Sequence, residues 1–130
     1  MIETHFILYV ADQRRSRQFY AAILGGEPTL DVPGMTEFTL GEGVVLGLMP
    51  EDGITRLLGD AIDHPSQAGG VARSELYLLV EDAAAVHAIA LTAGAREVSP
   101  LSPRDWGHTV AYSLDPDGHV LAIASSNVGA

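Results

Sequence analysis

Residues 4–23, THFILYVADQRRSRQFYAAI, read as an apolar strand, an aspartate and a helix, with Gly25 as its stop. Residues 74–93, SELYLLVEDAAAVHAIALTA, repeat that reading without a gap at an offset of 70. Leu8 matches Leu78, Val10 matches Val80 and Asp12 matches Asp82, but pattern carries the match more than identity does. His5 to Val10 is a short apolar run of strand formers, and Asp12 is placed to cap the helix that follows. Ser16, Phe19, Tyr20 and Ile23 recur at i, i+3, i+4 and i+7, one face of that helix. In the second copy Asp82 is the cap, Val86, Ile89, Ala90 and Ala93 form the face, and Gly94 is the stop.

Working outward, each helix precedes three short strand-like runs: 27–32, 35–40 and 44–49, then 96–99, 107–114 and 119–125. Phe38-Thr39-Leu40 and Gly43-Val44-Val45-Leu46-Gly47 match Tyr112-Ser113-Leu114 and Gly118-His119-Val120-Leu121-Ala122. The last turns are Gly41-Glu42-Gly43 and Asp115-Pro116-Asp117-Gly118, where proline presets φ and glycine admits a left-handed conformation. The chain is therefore expected to be one α+β domain of two βαβββ modules, residues 1–50 and 74–130. Residues 51–73 form a polar linker with a helical turn at Ile54 to Leu58.

The 130 residues are 47% hydrophobic and 18% charged, which suits a folded globule. A net charge of −10 disfavours nucleic acid and anionic membranes as partners, since both require basic surfaces. With no cysteine there are no disulfides, thiolate metal sites or thiol nucleophile. No basic segment leads into an apolar run at Met1 to His5, and no run approaches the roughly 18 apolar residues of a membrane span. A cytoplasmic protein is the expectation.

The strings VADQRRSRQFYAAILGG (10–26) and WGHTVAYSLDPDGHVLAIA (106–124) resemble the vicinal oxygen chelate superfamily, which includes glyoxalases, bleomycin- and fosfomycin-resistance proteins and extradiol dioxygenases. The resemblance covers nearly the whole chain. It implies an open, cup-like eight-stranded mixed sheet, a cleft between the modules and a homodimer. In metal-dependent members resembling glyoxalase, ligands come from the first and fourth strands of each module. On this chain those places are His5, Gly47, Glu75 and Ala122. His5 and Glu75 are competent ligands for a divalent ion, whereas Gly47 and Ala122 offer none.

Strand alternation places His5, Ile7 and Tyr9 on one face, with Phe6, Leu8 and Val10 under the helix; Glu75, Tyr77 and Leu79 follow His5. A three-residue loop at Gly41-Glu42-Gly43 pairs Leu40 with Val44 and hence Glu37 with Gly47, which offers Glu37 as a third ligand. The matching register in the second module pairs Tyr112 with Leu121 and Ala111 with Ala122. It turns Thr109, Ala111 and Ser113 toward the cleft, and puts Trp106 and His108 off that face.

Gly47, Ala111 and Ala122 then read as room for an organic ligand lined by Tyr9, Glu37, Met49 and Tyr77, with Trp106 flanking the pocket. His87 is expected to be exposed or capping, His119 structural in its turn, and His64 without identifiable chemistry. Three functions stay open. The first is a metal-free protein that binds a small organic molecule. The second is a lyase, isomerase or dioxygenase using His5 and Glu75 with a divalent ion as alternative cofactor. The third is a non-catalytic partner module. The His5 and Glu75 pair has three readings of its own: a hydrogen bond joining the modules, a general acid/base pair, or metal ligands.

Overall fold

A computed structural model describes residues 2–127. The chain packs as two compact units, Met1–Val71 and Ala72–Ala130. The first runs β1 (Thr4–Val10), α1 (Gln13–Leu24), β2 (Leu30–Val32), β3 (Met35–Gly41), β4 (Val44–Pro50) and α2 (Glu51–Leu58), then two short 3-10 turns. The second runs β5 (Glu75–Leu79), α3 (Ala83–Thr92), β6 (Arg96–Pro103), β7 (His108–Leu114) and β8 (Val120–Ser126). Each module is βαβββ and carries one four-stranded mixed sheet, ordered β1-β4-β3-β2 and β5-β8-β7-β6. The first and last strands of a module pair in parallel, and the other pairings are antiparallel. Among the described residues no helix is long and apolar enough to cross a membrane.

In the first unit the helix signals act as their chemistry requires. The Asp12 carboxylate accepts from the Arg15 N–H, and Gly25 ends α1 in a left-handed conformation at φ 73°. The buried face of α1 is Ser16, Phe19, Tyr20 and Ile23, packed against β3 and β4. Phe19 and Tyr20 meet edge to face. Leu8, Val10, Phe38, Leu46 and Leu48 complete this core, while Phe6, on the same side of β1, is 50% exposed. Gln13 ties the β2–β3 turn to the helix: its Nε2 donates to Val32 O and Thr36 Oγ1, and its Oε1 accepts from the Gly34 N–H.

Two features depart from the sequence reading here. The stretch read as polar linker begins directly with α2, whose acidic first turn, Glu51 and Asp52, suits the positive end of the helix dipole. Gly53 and the absence of a side-chain cap hid this start. The tip of the β3–β4 hairpin pairs Gly41, not Leu40, with Val44, because a bulge at Leu40 absorbs one residue. From Thr39 inward the register is as read: Phe38 faces Leu46 and Glu37 faces Gly47.

In the second unit Asp82 caps α3 through the Ala85 N–H, and Ser125 Oγ accepts from the Ala83 N–H. The helix stops at Ala93, one residue before Gly94. Its buried face is Ala83, His87 and Ala90; Ile89, read as part of that face, is 44% exposed. His87 is thus buried rather than exposed, and its Nε2 lies 2.9 Å from Glu97 Oε2 on β6. That carboxylate makes an imidazole tolerable on an inward face. The five-residue turn 115–119 is organised by buried Asp115, which accepts from the N–H groups of Asp117 and His119.

The β7–β8 register corrects the sequence reading by one residue. Leu114 pairs with Val120, Tyr112 with Ala122 and Ala111 with Ile123. The first module's bulge has no counterpart here, so matching the two strings shifts the pairing, and a one-residue shift exchanges the faces of a strand. Ala111 and Ser113 therefore lie buried on the face of Leu121 and Ile123, and Val110 and Tyr112 share the face of Ala122.

Candidate functional site

In the first unit, the sheet face opposite α1 carries His5, Ile7, Tyr9, Met35, Glu37, Gly47 and Met49. His5 Nδ1 lies 3.3 Å from Glu37 Oε2, and its Nε2 lies 3.7 Å from Glu3 Oε1. The Glu37–Gly47 pairing thus does bring Glu37 to His5. The space above Gly47 is not vacant, however. A Cβ at that position would stand 3.0 Å from Ile7 Cγ1 and 3.3 Å from Met35 Sδ, so these two side chains close over the glycine. Met49 lies toward α2, where a Cβ on Gly53 would come within 3.8 Å of its Cε.

The equivalent face of the second unit carries Glu75, Tyr77, Leu79, Val110, Tyr112, Ala122 and Ala124. Val110, Ala122 and Ala124 are fully buried, with Tyr77 and Tyr112 packed onto them. The room left by Ala122 is filled by tyrosine rings lying low on the sheet. His108, at the start of β7, belongs to this face too, since Tyr77 Oη lies 2.5 Å from its Nδ1 with the two rings tilted at 37°. Trp106 also joins it: its indole N–H donates to Tyr77 Oη over 2.9 Å. Both corrections follow from the register. Ala111, read as a cleft residue, is on the opposite face, and Tyr112 stands in its place.

The turn that delivers Trp106 and His108 is Arg104-Asp105-Trp106-Gly107. The Arg104 N–H donates to His108 O, and Gly107 adopts φ 89°, which a side chain would resist. Arg104 is anchored by Nη2, which donates to Ser99 Oγ and Val110 O, and its guanidinium lies 5.1 Å above the Tyr112 ring. Its Nε is buried with no hydrogen-bond partner among the described residues. Burial raises the Tyr112 pKa from its usual 10.0; the nearby Glu75 carboxylate and Tyr77 add to this, and Arg104 opposes it. Little in the sequence signals this cluster. The lone Trp is a visible signal, but its partners depend on the register of the β7–β8 hairpin, and Tyr77 stands 29 residues before Trp106 in the chain.

His64, expected to lack chemistry, bridges Asp52 Oδ1 on α2 through Nε2 and Ser66 through Nδ1, and so pins the 3-10 turn at Pro65–Ala68. Shallow depressions beside α1, one lined by Arg17, Gln18 and Gly25 and another by Gln13, Arg14 and Asp31, contain no site residue named from sequence.

The family model for the Glyoxalase/Bleomycin resistance protein/Dioxygenase superfamily matches residues 4–123. The chain belongs to this superfamily. Among solved structures, the glyoxalase/bleomycin-resistance/dioxygenase fold recurs in a glyoxalase-related enzyme from Fulvimarina pelagi. That protein is 23% identical, with 95% of this chain and 87% of that chain covered at a TM-score of 0.80. A glyoxalase/bleomycin resistance protein/dioxygenase from Nocardioides is 19% identical, covering 100% of this chain and 86% of that one at 0.74. A protein of unknown function from Agrobacterium tumefaciens str. C58 is 24% identical, with 97% and 94% covered at 0.79. At these identities the likeness shows the fold alone. No curated protein matches the chain.

In metal-dependent members the resemblance puts the ligands of a divalent ion at the places that His5, Gly47, Glu75 and Ala122 hold here. The residues within each unit do not fit one. The first unit offers His5 and Glu37 with Gly47 beside them, and the second offers Glu75 with Ala122 beneath two tyrosines. Among the described residues no group of three or more His, Asp or Glu side chains is arranged to hold a metal.

Proposed function

We propose that this superfamily member binds a small organic molecule against the open face of its second sheet, on a platform of Trp106, Tyr77 and Tyr112, without a metal ion. The observation that carries this reading is Trp106, which is 54% exposed and yet pinned through its indole N–H to Tyr77 Oη. A fixed, exposed indole offers a large flat contact whose ordering has already been met by the fold, so a ligand gains area at little entropic cost. Stacking on such a ring contributes about 0.5–1.5 kcal/mol beyond area burial. Ala122 and Ala124 support the platform by letting the tyrosines lie close to the sheet. Arg104 and Glu75 give its margin charges of both signs.

The protein has a single Trp, so its fluorescence reports the site directly. Titration with 2-tetralone and with 2-naphthoate, a neutral and an anionic bicyclic probe, should give saturable quenching. Calorimetry on Trp106→Ala should show affinity weakened by about tenfold or more, roughly 1.4 kcal/mol. Probe binding that is indifferent to Trp106→Ala would count against the reading. The competing metal-dependent reading draws on His5 and Glu37, an ionisable pair on the first sheet's open face. A stoichiometric divalent ion in protein purified without chelator, lost in His5→Ala, would favour it.

A further inference from the structure

The polarity of the Trp106–Tyr77–His108 chain follows from which groups can donate. An indole N–H is a donor only, so Tyr77 Oη accepts from Trp106. The phenol proton is then directed at His108 Nδ1, and neutral His108 carries its own proton on Nε2. Protonating His108 reverses that link. The imidazolium Nδ1–H donates to Tyr77 Oη, which then accepts from two sides and has its own proton free for a third group. Tyr77 oxygen thus sits at the junction of a fixed donor and an imidazole that can either accept or donate a proton, on the face that carries the exposed indole.

We propose that Tyr77 and His108 form an acid–base relay, in which Tyr77 exchanges a proton with a ligand lying against Trp106 and His108 takes up or returns that proton. The inference rests on the small-molecule reading and narrows the ligand to an organic molecule with an acidic C–H or O–H beside a carbonyl, the class whose protons a phenol–imidazole pair can move. The balance is closed. The ligand's X–H bond breaks and its electron pair stays on the ligand, a new O–H forms on Tyr77, and the former phenol proton passes to His108 Nδ1. The products are the ligand anion, neutral Tyr77 and a His108 imidazolium, with no oxidant or further reactant. Glu75, Arg104 and Tyr77 all act on Tyr112, which shares this face.

The test is exchange of the acidic α-protons of 2-tetralone in deuterated buffer, followed by proton NMR with and without the full-length protein, with Trp fluorescence read on the same samples. Wild type should accelerate exchange at least tenfold over buffer. Tyr77→Phe should return the rate to that of buffer. His108→Asn is the deciding variant, because its amide oxygen can still accept from Tyr77 but cannot take the proton. It should keep the fold and the quenching and lose at least tenfold in exchange. Wild-type exchange in His108→Asn would overturn the relay, since the histidine would then be structural. Quenching without acceleration in wild type would overturn the relay and spare the binding reading, and the absence of both would overturn the two together.

Discussion

Tyr112 stands opposite Ala122 in the second sheet, at the position where Glu37 stands opposite Gly47 in the first. Tyr77 and Ile7 are equivalent in the same way, each paired to the small residue. One scaffold therefore presents two surfaces: an aliphatic lid over glycine beside a His–Glu pair, and a pair of tyrosines over alanine beside an anchored tryptophan.

The closeness of that lid makes Gly47→Ala a clean probe. Its new methyl meets Ile7 at 3.0 Å and Met35 at 3.3 Å. Alanine itself favours folding by about 0.4–1 kcal/mol through the unfolded chain, and overpacking costs about 1–3 kcal/mol. Urea unfolding should show a net loss of about 1 kcal/mol in the wild-type background and neutrality or a gain in Ile7→Ala. Equal effects in both backgrounds would mean that Ile7 does not close the site.

His87 and Glu97 give a second test. Glu97 is the partner of His87 Nε2, whose Nδ1 is already buried without one among the described residues. Glu97→Ala should destabilise the protein by about 1–3 kcal/mol, the range for stranding a buried polar atom. Glu97→Gln retains an acceptor and should cost markedly less. Chemical denaturation of the two variants distinguishes them, and equal losses would contradict the bond.

The raised pKa of Tyr112 has a defined consequence at alkaline pH. Folded Tyr112 holds its proton to higher pH than the unfolded chain does, so the unfolded state ionises first. The contribution is fully present below the usual tyrosine value of 10.0 and is lost as pH rises through the folded value. Melting temperature should fall over that alkaline window, and Tyr112→Phe should flatten the fall. Glu75→Gln, which removes one of the charges that raise the pKa, should bring the tyrosine's titration closer to its usual value in ultraviolet difference spectra.

Much of this was legible in the sequence, and the parts that were not share a cause. The α1 face, both aspartate caps and the Glu37–Gly47 pairing follow from spacing, because each depends on local chemistry over one or two turns. The second hairpin was misread because a bulge at Leu40 is invisible in the string, and a single residue of register decides whether Ala111 or Tyr112 joins Tyr77. His87 was misplaced for a similar reason. In a helix of mostly Ala, apolar periodicity is too weak to choose a face, and Glu97 on another strand makes the choice.

The central claim is that a small organic molecule seats on the Trp106, Tyr77 and Tyr112 face, and amide shift mapping by NMR tests it most directly. Titrating 2-naphthoate into labelled protein should move the Trp106 indole N–H most, with the amides of Tyr77, His108 and Tyr112 following along one binding curve. Shifts centred instead on His5, Glu37 and Gly47, or none at concentrations that saturate quenching, would contradict it.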